Sequence, residues 1–219
     1  MDLTQERDPS VSEIYQKICD DIYAQGYSII DNALPQALLQ SLMNHIATLS
    51  SQEFKVAGTG RQDEHQVNQF VRRDEIHWLS EERECEREWF HWAQGLQTEI
   101  NKRLMLGLFS YEAHMAHYEP GAFYKKHLDA FKGSRSRVLS TVLYLNPQWQ
   151  SNYGGELVIY DEHNHDSELT RVSPMPGTLV VFLSEDFPHE VLPAREHRHS
   201  IAGWFRVNES VGNQIAPPQ

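Results

Sequence analysis

Residues 113–129 read AHMAHYEPGAFYKKHLD, and this stretch decides the fold. Ala113–Tyr118 is a short strand-like run, Pro120-Gly121 breaks it, and His127-Leu128-Asp129 closes the stretch. Side chains two apart in a strand point to the same face, so His127 and Asp129 can reach one metal ion from the end of one strand. The same texture continues downstream. Val138–Leu145, Leu157–Tyr160, Thr178–Leu183, Glu190–Leu192 and Ile201–Val207 are short strand-like runs. Between them lie Asn146-Pro147, Gly154-Gly155, Pro174, Pro176-Gly177 and Pro188. Many short strands with such punctuation predict a sandwich or jelly roll.

Upstream of this region the chain reads helical. Val11, Ile14, Tyr15, Ile18 and Ile22 recur at helical spacing after Ser10, with Gly26 as a stop signal. Tyr27 to Asp31 reads as a short strand. Pro35 opens a helix carrying Leu38, Leu39, Leu42, Met43 and Ile46. Ser80 is expected to begin another, with Glu81 and Glu82 in its first turn, where the helix dipole favours acids, and with Trp89, Trp92, Leu96 and Ile100 on its apolar face. The expected fold class is therefore α+β, mainly β: a double-stranded β-helix (jelly roll) supported by N-terminal helices. One domain is expected over residues 1–219, with helical support in 1–110 and the jelly-roll core in 111–207.

Composition narrows the function classes. A chain of 219 residues with 40% hydrophobic and 23% charged content is that of a soluble globular protein with a proper core. The net charge of −12 argues against a nucleic-acid partner, which calls for a basic patch. The two cysteines, Cys19 and Cys85, provide neither a disulfide framework nor a CxxC zinc site. The N-terminal MDLTQERDPS has no apolar h-region, and no apolar run approaches the ~20 residues of a membrane span. A cytoplasmic protein, probing no membrane and working as a monomer, is the expectation.

The chemistry resides in five residues. His127, Asp129 and the distant His189 supply two imidazoles and one carboxylate, a set that suits Fe(II) and leaves one face of its octahedron open. Arg198 follows His189 by nine residues, at the start of the last strand-like run. Its guanidinium can grip a carboxylate bidentately, and the Tyr144 hydroxyl can donate to the same group. Together they predict a five-carbon keto diacid that chelates iron at one end and is anchored at the other, hence an oxygenase dependent on Fe(II), 2-oxoglutarate and O2. Of the other histidines among the twelve, His163 and His165 read as a solvated turn. His114 and His117 read as satisfied sheet residues, and His197 and His199 face away from the Arg198 between them.

At these residues the chain resembles the Fe(II)- and 2-oxoglutarate-dependent prolyl 4-hydroxylases, in particular those that modify hypoxia-inducible factor and their bacterial relatives. The resemblance runs over about residues 55 to 207. It is carried by Tyr118-Glu-Pro-Gly, by Tyr124-Lys-Lys-His127-Leu-Asp129 and by Val138…Tyr144-Leu-Asn-Pro-Gln-Trp149. Gly154-Gly155-Glu-Leu, Pro188-His189-Glu-Val and Arg198…Trp204 complete it. It implies that His127, Asp129 and His189 bind iron and that Arg198 and Tyr144 hold 2-oxoglutarate. It places Tyr118 and Tyr124 in the iron pocket and Trp78 and Trp204 around the substrate. Val71–Trp78 resembles part of a finger loop, about residues 58–78, that orders over the substrate and includes Arg72 and Asp74. The segment between Tyr118 and His127 is one residue shorter than in the animal enzymes.

The activity implied is hydroxylation of a proline in a protein or peptide, a translation factor being one expected substrate, with ascorbate as an optional addition and oxygen sensing as a further implication. Two alternatives stand beside it. One is a hydroxylase of the same chemistry acting on another residue or on a small molecule. The other is a jelly-roll module that senses metal or keto acid without turnover.

Overall fold

In the computed structural model, residues 10–50, 52–57, 71–130 and 137–208 are described, together with two short strands beyond them. Helix α1 (Val11–Gln25) precedes β1 (Tyr27–Ile30) and α2 (Gln36–Thr48). Then come β2 (Lys55–Val56), β3 (Asp74–Trp78) and the long α3 (Glu84–Leu104). The remainder is strand: β4 (Leu108–Tyr118), β5 (Tyr124–His127), β6 (Arg137–Tyr144), β7 (Leu157–Tyr160) and β8 (Glu168–Val172). It continues with β9 (Leu179–Leu183), β10 (His189–Val191), β11 (Arg198–Val207), β12 (Ser210–Val211) and β13 (Gln214–Ile215).

Local signals set the helix ends. Ser10 and Glu13 form a reciprocal capping box at the start of α1. Gly26 ends the helix at φ 79°, a left-handed conformation that favours glycine. The third helix starts later than its sequence suggests. Glu81 and Glu82 lie in a turn, and α3 begins at Glu84. The reason is Glu86: its carboxylate accepts from the Ser80 backbone N–H at 2.8 Å and from the Ser80 hydroxyl at 3.3 Å, so Ser80 is held ahead of the helix instead of capping it.

Apart from the two-stranded pair β12-β13, the described strands form two antiparallel sheets. The major sheet runs β1-β9-β6-β11-β4-β3-β2, and the minor one β5-β10-β7-β8. Strand alternation divides the major sheet's side chains between two cores. Leu139 and Leu143 of β6, Leu179 and Val181 of β9, and Ile201 and Phe205 of β11 pack with the helices. Their alternates, including Tyr144, Val180 and Phe182, face the minor sheet's Leu157, Ile159 and Val191. This explains the unbroken apolar run Leu179–Phe182: both faces are buried. Each fully buried Leu or Phe contributes roughly 1.5–3 kcal/mol, and the three helices thereby form a rigid backing for the sheet. The architecture is the expected mainly-β jelly roll with helical support.

Two parts of the reading need correcting. Upstream of β4 there is a strand beyond the expected Tyr27–Asp31: Asp74–Trp78 is β3, hydrogen-bonded to β4 with Asp74 opposite Tyr118 and Trp78 opposite His114. That segment, read as the end of the finger loop, is fixed in the major sheet; residues 58–70 of the expected loop lie outside the described residues. Strands β5 and β8 lie outside the expected strand runs, as do the two-residue strands β2, β12 and β13. Tyr-Lys-Lys-His and Glu-Leu-Thr-Arg-Val lack strong apolar alternation, and pairing to β10 and β7 makes them strands.

Candidate active site

Strand register assembles the site. His127, the last residue of β5, lies directly opposite His189, the first of β10. Directly opposed residues of an antiparallel pair share a face, and the two rings meet with centroids 4.3 Å apart. Asp129 follows just past the end of β5. Its Oδ1 is 3.6 Å from His127 Nε2 and its Oδ2 is 3.7 Å from His189 Nε2. The three ligand atoms form a group within 4.8 Å that could hold a metal ion.

Both histidines are pre-set for this. His127 Nδ1 lies 2.7 Å from the Lys125 carbonyl, and His189 Nδ1 lies 3.1 Å from the Phe187 carbonyl. Each Nδ1 donates to a carbonyl, which leaves Nε2 as the ring atom directed at the centre. Burial first, and then the neighbouring His127, hold the His189 pKa down at about 4 against the opposing pull of Asp129, so its imidazole is neutral. For Asp129, burial alone would raise the pKa. His189, His127 and the Ser140 hydroxyl outweigh it and hold the carboxyl well below the usual range, so it is ionised. Two imidazoles and a carboxylate fit a divalent iron.

The anchor lies on the major sheet. Arg198, 1% exposed, opens β11 opposite Tyr118. Its neighbour on the same face, Ser200, lies opposite Tyr144. The guanidinium sits 4.9 Å from the Tyr118 ring centroid and 5.1 Å from that of Tyr144. Nε donates to the Gly155 carbonyl at 2.9 Å and Nη1 to Ser200 Oγ at 3.3 Å. Gly155 must be glycine: at φ +71°, an added Cβ would fall 2.8 Å from Ala194 and 3.3 Å from Arg198 Cδ.

Two buried polar atoms are left over here, Arg198 Nη2 and the Tyr144 hydroxyl, neither with a hydrogen-bond partner among the described residues. No described carboxylate forms an ion pair with Arg198 either. A buried cation and a buried hydroxyl without partners are costly, and a ligand carboxylate could satisfy both. Burial pushes the Tyr144 pKa up to about 12 against the pull of Arg198, so the hydroxyl keeps its proton and can donate. Burial, and then Asp74, also push the Tyr118 phenol up.

The remaining predicted residues frame one side of this centre. Tyr124 stacks on His127 at 3.5 Å, and the Arg72 guanidinium covers the other part of the stack, 4.4 Å from the Tyr124 ring. Arg72 binds the fully buried Asp74 carboxylate in a fork, at 2.7 and 2.5 Å. Trp78 and Trp204 stand further along the same sheet face, 6.4 Å apart, with His114 between them at 5.1 and 5.4 Å. Trp78 is half exposed and Trp204 buried.

Several residues went unread in the sequence. Arg137 lies 3.7 Å over the Trp204 ring and is held by Glu112 at 2.9 Å. Ser140 donates to Asp129 Oδ2 at 2.6 Å. Its signal was a small polar residue in the core-facing series 140, 142, 144 of an otherwise apolar strand. His114 is buried, and its Nδ1 has no hydrogen-bond partner among the described residues, so it is not the fully satisfied sheet residue expected. His163 and His165 are exposed, as a solvated turn requires. His117 stacks between His197 and His199, turned away from Arg198. A second cluster, His45, His77 and Glu86, also comes within ligand spacing. There the Arg83 guanidinium lies 3.2 Å from a His45 ring nitrogen and His45 is hydrogen-bonded to Glu86 at 2.8 Å. A cation at that place disfavours a metal, and the cluster ties α2, β3 and α3 together.

A facing His-Asp-His set beside a buried, unsatisfied Arg-Tyr pair defines a metal-dependent oxygenase that takes a keto diacid. The family model for the 2OG-Fe(II) oxygenase superfamily matches residues 113–206. A prolyl-4-hydroxylase from Pseudomonas putida is 36% identical, with 90% of this chain and 100% of that chain covered and a TM-score of 0.79. A Trichoplax adhaerens prolyl hydroxylase, solved with a hypoxia-inducible-factor peptide, is 25% identical over 90% of each chain, with a TM-score of 0.76. A Phytophthora capsici prolyl 4-hydroxylase shares the fold at 19% identity and a TM-score of 0.72, with 93% of this chain and 68% of that chain covered. The chain belongs to the 2OG-Fe(II) oxygenase superfamily and, within it, to the prolyl 4-hydroxylase family. It is an enzyme of the dioxygenase class whose family uses Fe(II), 2-oxoglutarate and O2.

Proposed function

We propose that this chain hydroxylates a proline in a protein or peptide at C4, using O2 and 2-oxoglutarate, and that it does so as a single domain in the cytoplasm. His127, Asp129 and His189 hold the iron in this reading. Arg198 Nη2 and the Tyr144 hydroxyl bind the distal carboxylate of 2-oxoglutarate, and the pair of buried, unpartnered atoms at that place is the observation that carries the assignment. Bound iron supplies the oxidative decarboxylation of 2-oxoglutarate to succinate and CO2 that is coupled to C–H hydroxylation. The protein's own contribution is positional. The carbonyls of Lys125 and Phe187 fix the two imidazoles, and Gly155 and Ser200 fix the guanidinium. The packed sheets keep water from the diacid.

A peptide substrate is supported by what surrounds the centre. Trp78, half exposed, offers an aromatic face suited to a proline ring, backed by the buried Trp204 6.4 Å away. The Arg72–Asp74 fork holds the base of the segment that leads into residues 58–70. The similarity to a Trichoplax enzyme solved with a peptide points the same way. A translation factor is a candidate substrate. Substrate trapping tests the reading: the enzyme, loaded with an inert metal and a 2-oxoglutarate analogue, is used to capture proteins from a lysate. The expected result is a captured protein that gains one oxygen atom on a proline when turnover is restored. Capture only of proteins modified on other residues would overturn it.

A further inference from the structure

Asp129 is held by a chain of hydroxyls. Ser140 lies on β6 facing the site, opposite Trp204 on one side and Phe182 on the other. Its Oγ is 2.6 Å from Asp129 Oδ2 and 2.9 Å from Ser184 Oγ. Both serines are buried, 1% and 0% exposed. Ser184 itself is fixed just beyond β9, where its backbone N–H donates to the Val138 carbonyl at 3.0 Å.

Counting protons settles the direction of this chain. A serine hydroxyl has one proton to give and two lone pairs to receive. An ionised carboxylate can only accept, so at 2.6 Å Ser140 must give its proton to Asp129. Ser140 then receives, and Ser184 must donate to it. The order is Ser184 to Ser140 to Asp129. Each donation polarises the next hydroxyl and strengthens it as a donor. The consequence falls on the carboxylate. Oδ2 is committed to Ser140, while Oδ1 faces Nε2 of His127 at 3.6 Å. Asp129 lies just past the end of β5, outside the ladder that fixes His127, so no strand pairing sets its side chain. The relay does so instead, and it links the minor-sheet end that carries the ligands to β6 and β9 of the major sheet.

We propose that Ser184 and Ser140 form a positioning relay that fixes the rotation of the Asp129 carboxylate and so sets how tightly, and with which oxygen, the site takes its metal. This rests on the metal assignment of the preceding section. Neither serine touches metal or substrate in this account; both act through Asp129. Partners one step beyond a metal ligand typically matter by roughly 10- to 100-fold in metal affinity.

The test is anaerobic Co(II) titration of the purified enzyme, read by its visible absorption spectrum, with the apo-protein thermal midpoint measured alongside. Ser140→Ala is expected to weaken Co(II) binding by roughly 10- to 100-fold and to shift the spectrum, since the carboxylate is free to turn. Ser184→Ala is expected to weaken it several-fold in the same direction, and Ser140→Thr, which keeps the hydroxyl, to recover most of the affinity. Should Ser140→Ala not fold, Ser184→Ala and Ser140→Thr carry the decision. Unchanged Co(II) affinity and spectrum in Ser184→Ala and Ser140→Ala would overturn the relay. Equal Co(II) binding by wild type and His127→Ala/Asp129→Ala would instead overturn the metal assignment, a result separate from failure of the relay.

Discussion

Tyr144→Phe separates ligand binding from folding at one atom. The substitution removes only the phenol oxygen, from a ring that is fully buried between the two sheets. In the ligand-free protein that oxygen has no hydrogen-bond partner among the described residues. Its loss therefore costs no internal bond, and it removes a buried polar group. A satisfied tyrosine hydroxyl would contribute about 1 kcal/mol to stability; here the apo protein should be as stable as wild type or more so. The diacid is the opposite case. A hydrogen bond to a charged group is worth about 1.5–3 kcal/mol, and each 1.4 kcal/mol is tenfold in affinity, so the dissociation constant for 2-oxoglutarate should rise roughly 10- to 100-fold. With a phenol pKa near 12 the wild-type hydroxyl is a donor throughout the working pH range, and the difference should not vary between pH 6 and 9, roughly the span in which neither form titrates. Calorimetric titration of 2-oxoglutarate with Mn(II) in place of iron measures the first quantity and thermal melting the second. An unchanged dissociation constant would refute the anchor. A fall in apo stability would show that the hydroxyl already has a partner.

Other outcomes follow from the same geometry. Arg198→Ala should raise the 2-oxoglutarate requirement more than Tyr144→Phe does, since a charge is lost as well as a donor; steady-state rates against 2-oxoglutarate concentration check it, and an unchanged requirement contradicts it. Arg72→Ala strands the buried Asp74 carboxylate and should destabilise the fold by about 3–5 kcal/mol, whereas denaturation curves matching wild type would show the pair to be dispensable. Burial, and then Arg72, hold His114 at a pKa of about 4, and burial, and then His117, hold His199 at about 4. Unfolded histidine takes its proton near pH 6.5, so the unfolded chain binds protons first and stability should fall as pH drops from about 6.5 toward 4; thermal midpoints should show a smaller fall in His199→Phe, and an identical slope would remove His199 from the effect.

Those parts of the fold were legible whose signal is local. Ser10 and Gly26 mark α1 at both ends, and the Pro and Gly breaks bound β6, β7 and β9 within a residue. Strands made by pairing were not. Tyr124–His127 has no apolar alternation of its own, Asp74–Trp78 has only Ile76 and Trp78, and both become strands through β10 and β4. The same division runs through the site. The spacing of His127, Asp129, His189 and Arg198 could be read, because two-residue periodicity and strand ends place them. That His127 and His189 face one another is a matter of register, which one chain of letters does not carry. Ser140, Ser184 and the Gly155 carbonyl belong to the supporting contacts, and a serine in a strand or a backbone oxygen has no signature until a partner is 2.6 to 2.9 Å away. Arg72, Asp74 and Trp78 were read by resemblance as a loop, yet β3 holds two of them in the sheet.

The most direct test of the whole account counts products on the trapped protein. The enzyme is given Fe(II), 2-oxoglutarate, O2 and that substrate, and succinate and 4-hydroxyproline are quantified together by mass spectrometry. One 4-hydroxyproline is expected for each succinate, both abolished in His127→Ala. Succinate released at the wild-type rate with the oxygen on no proline would contradict it.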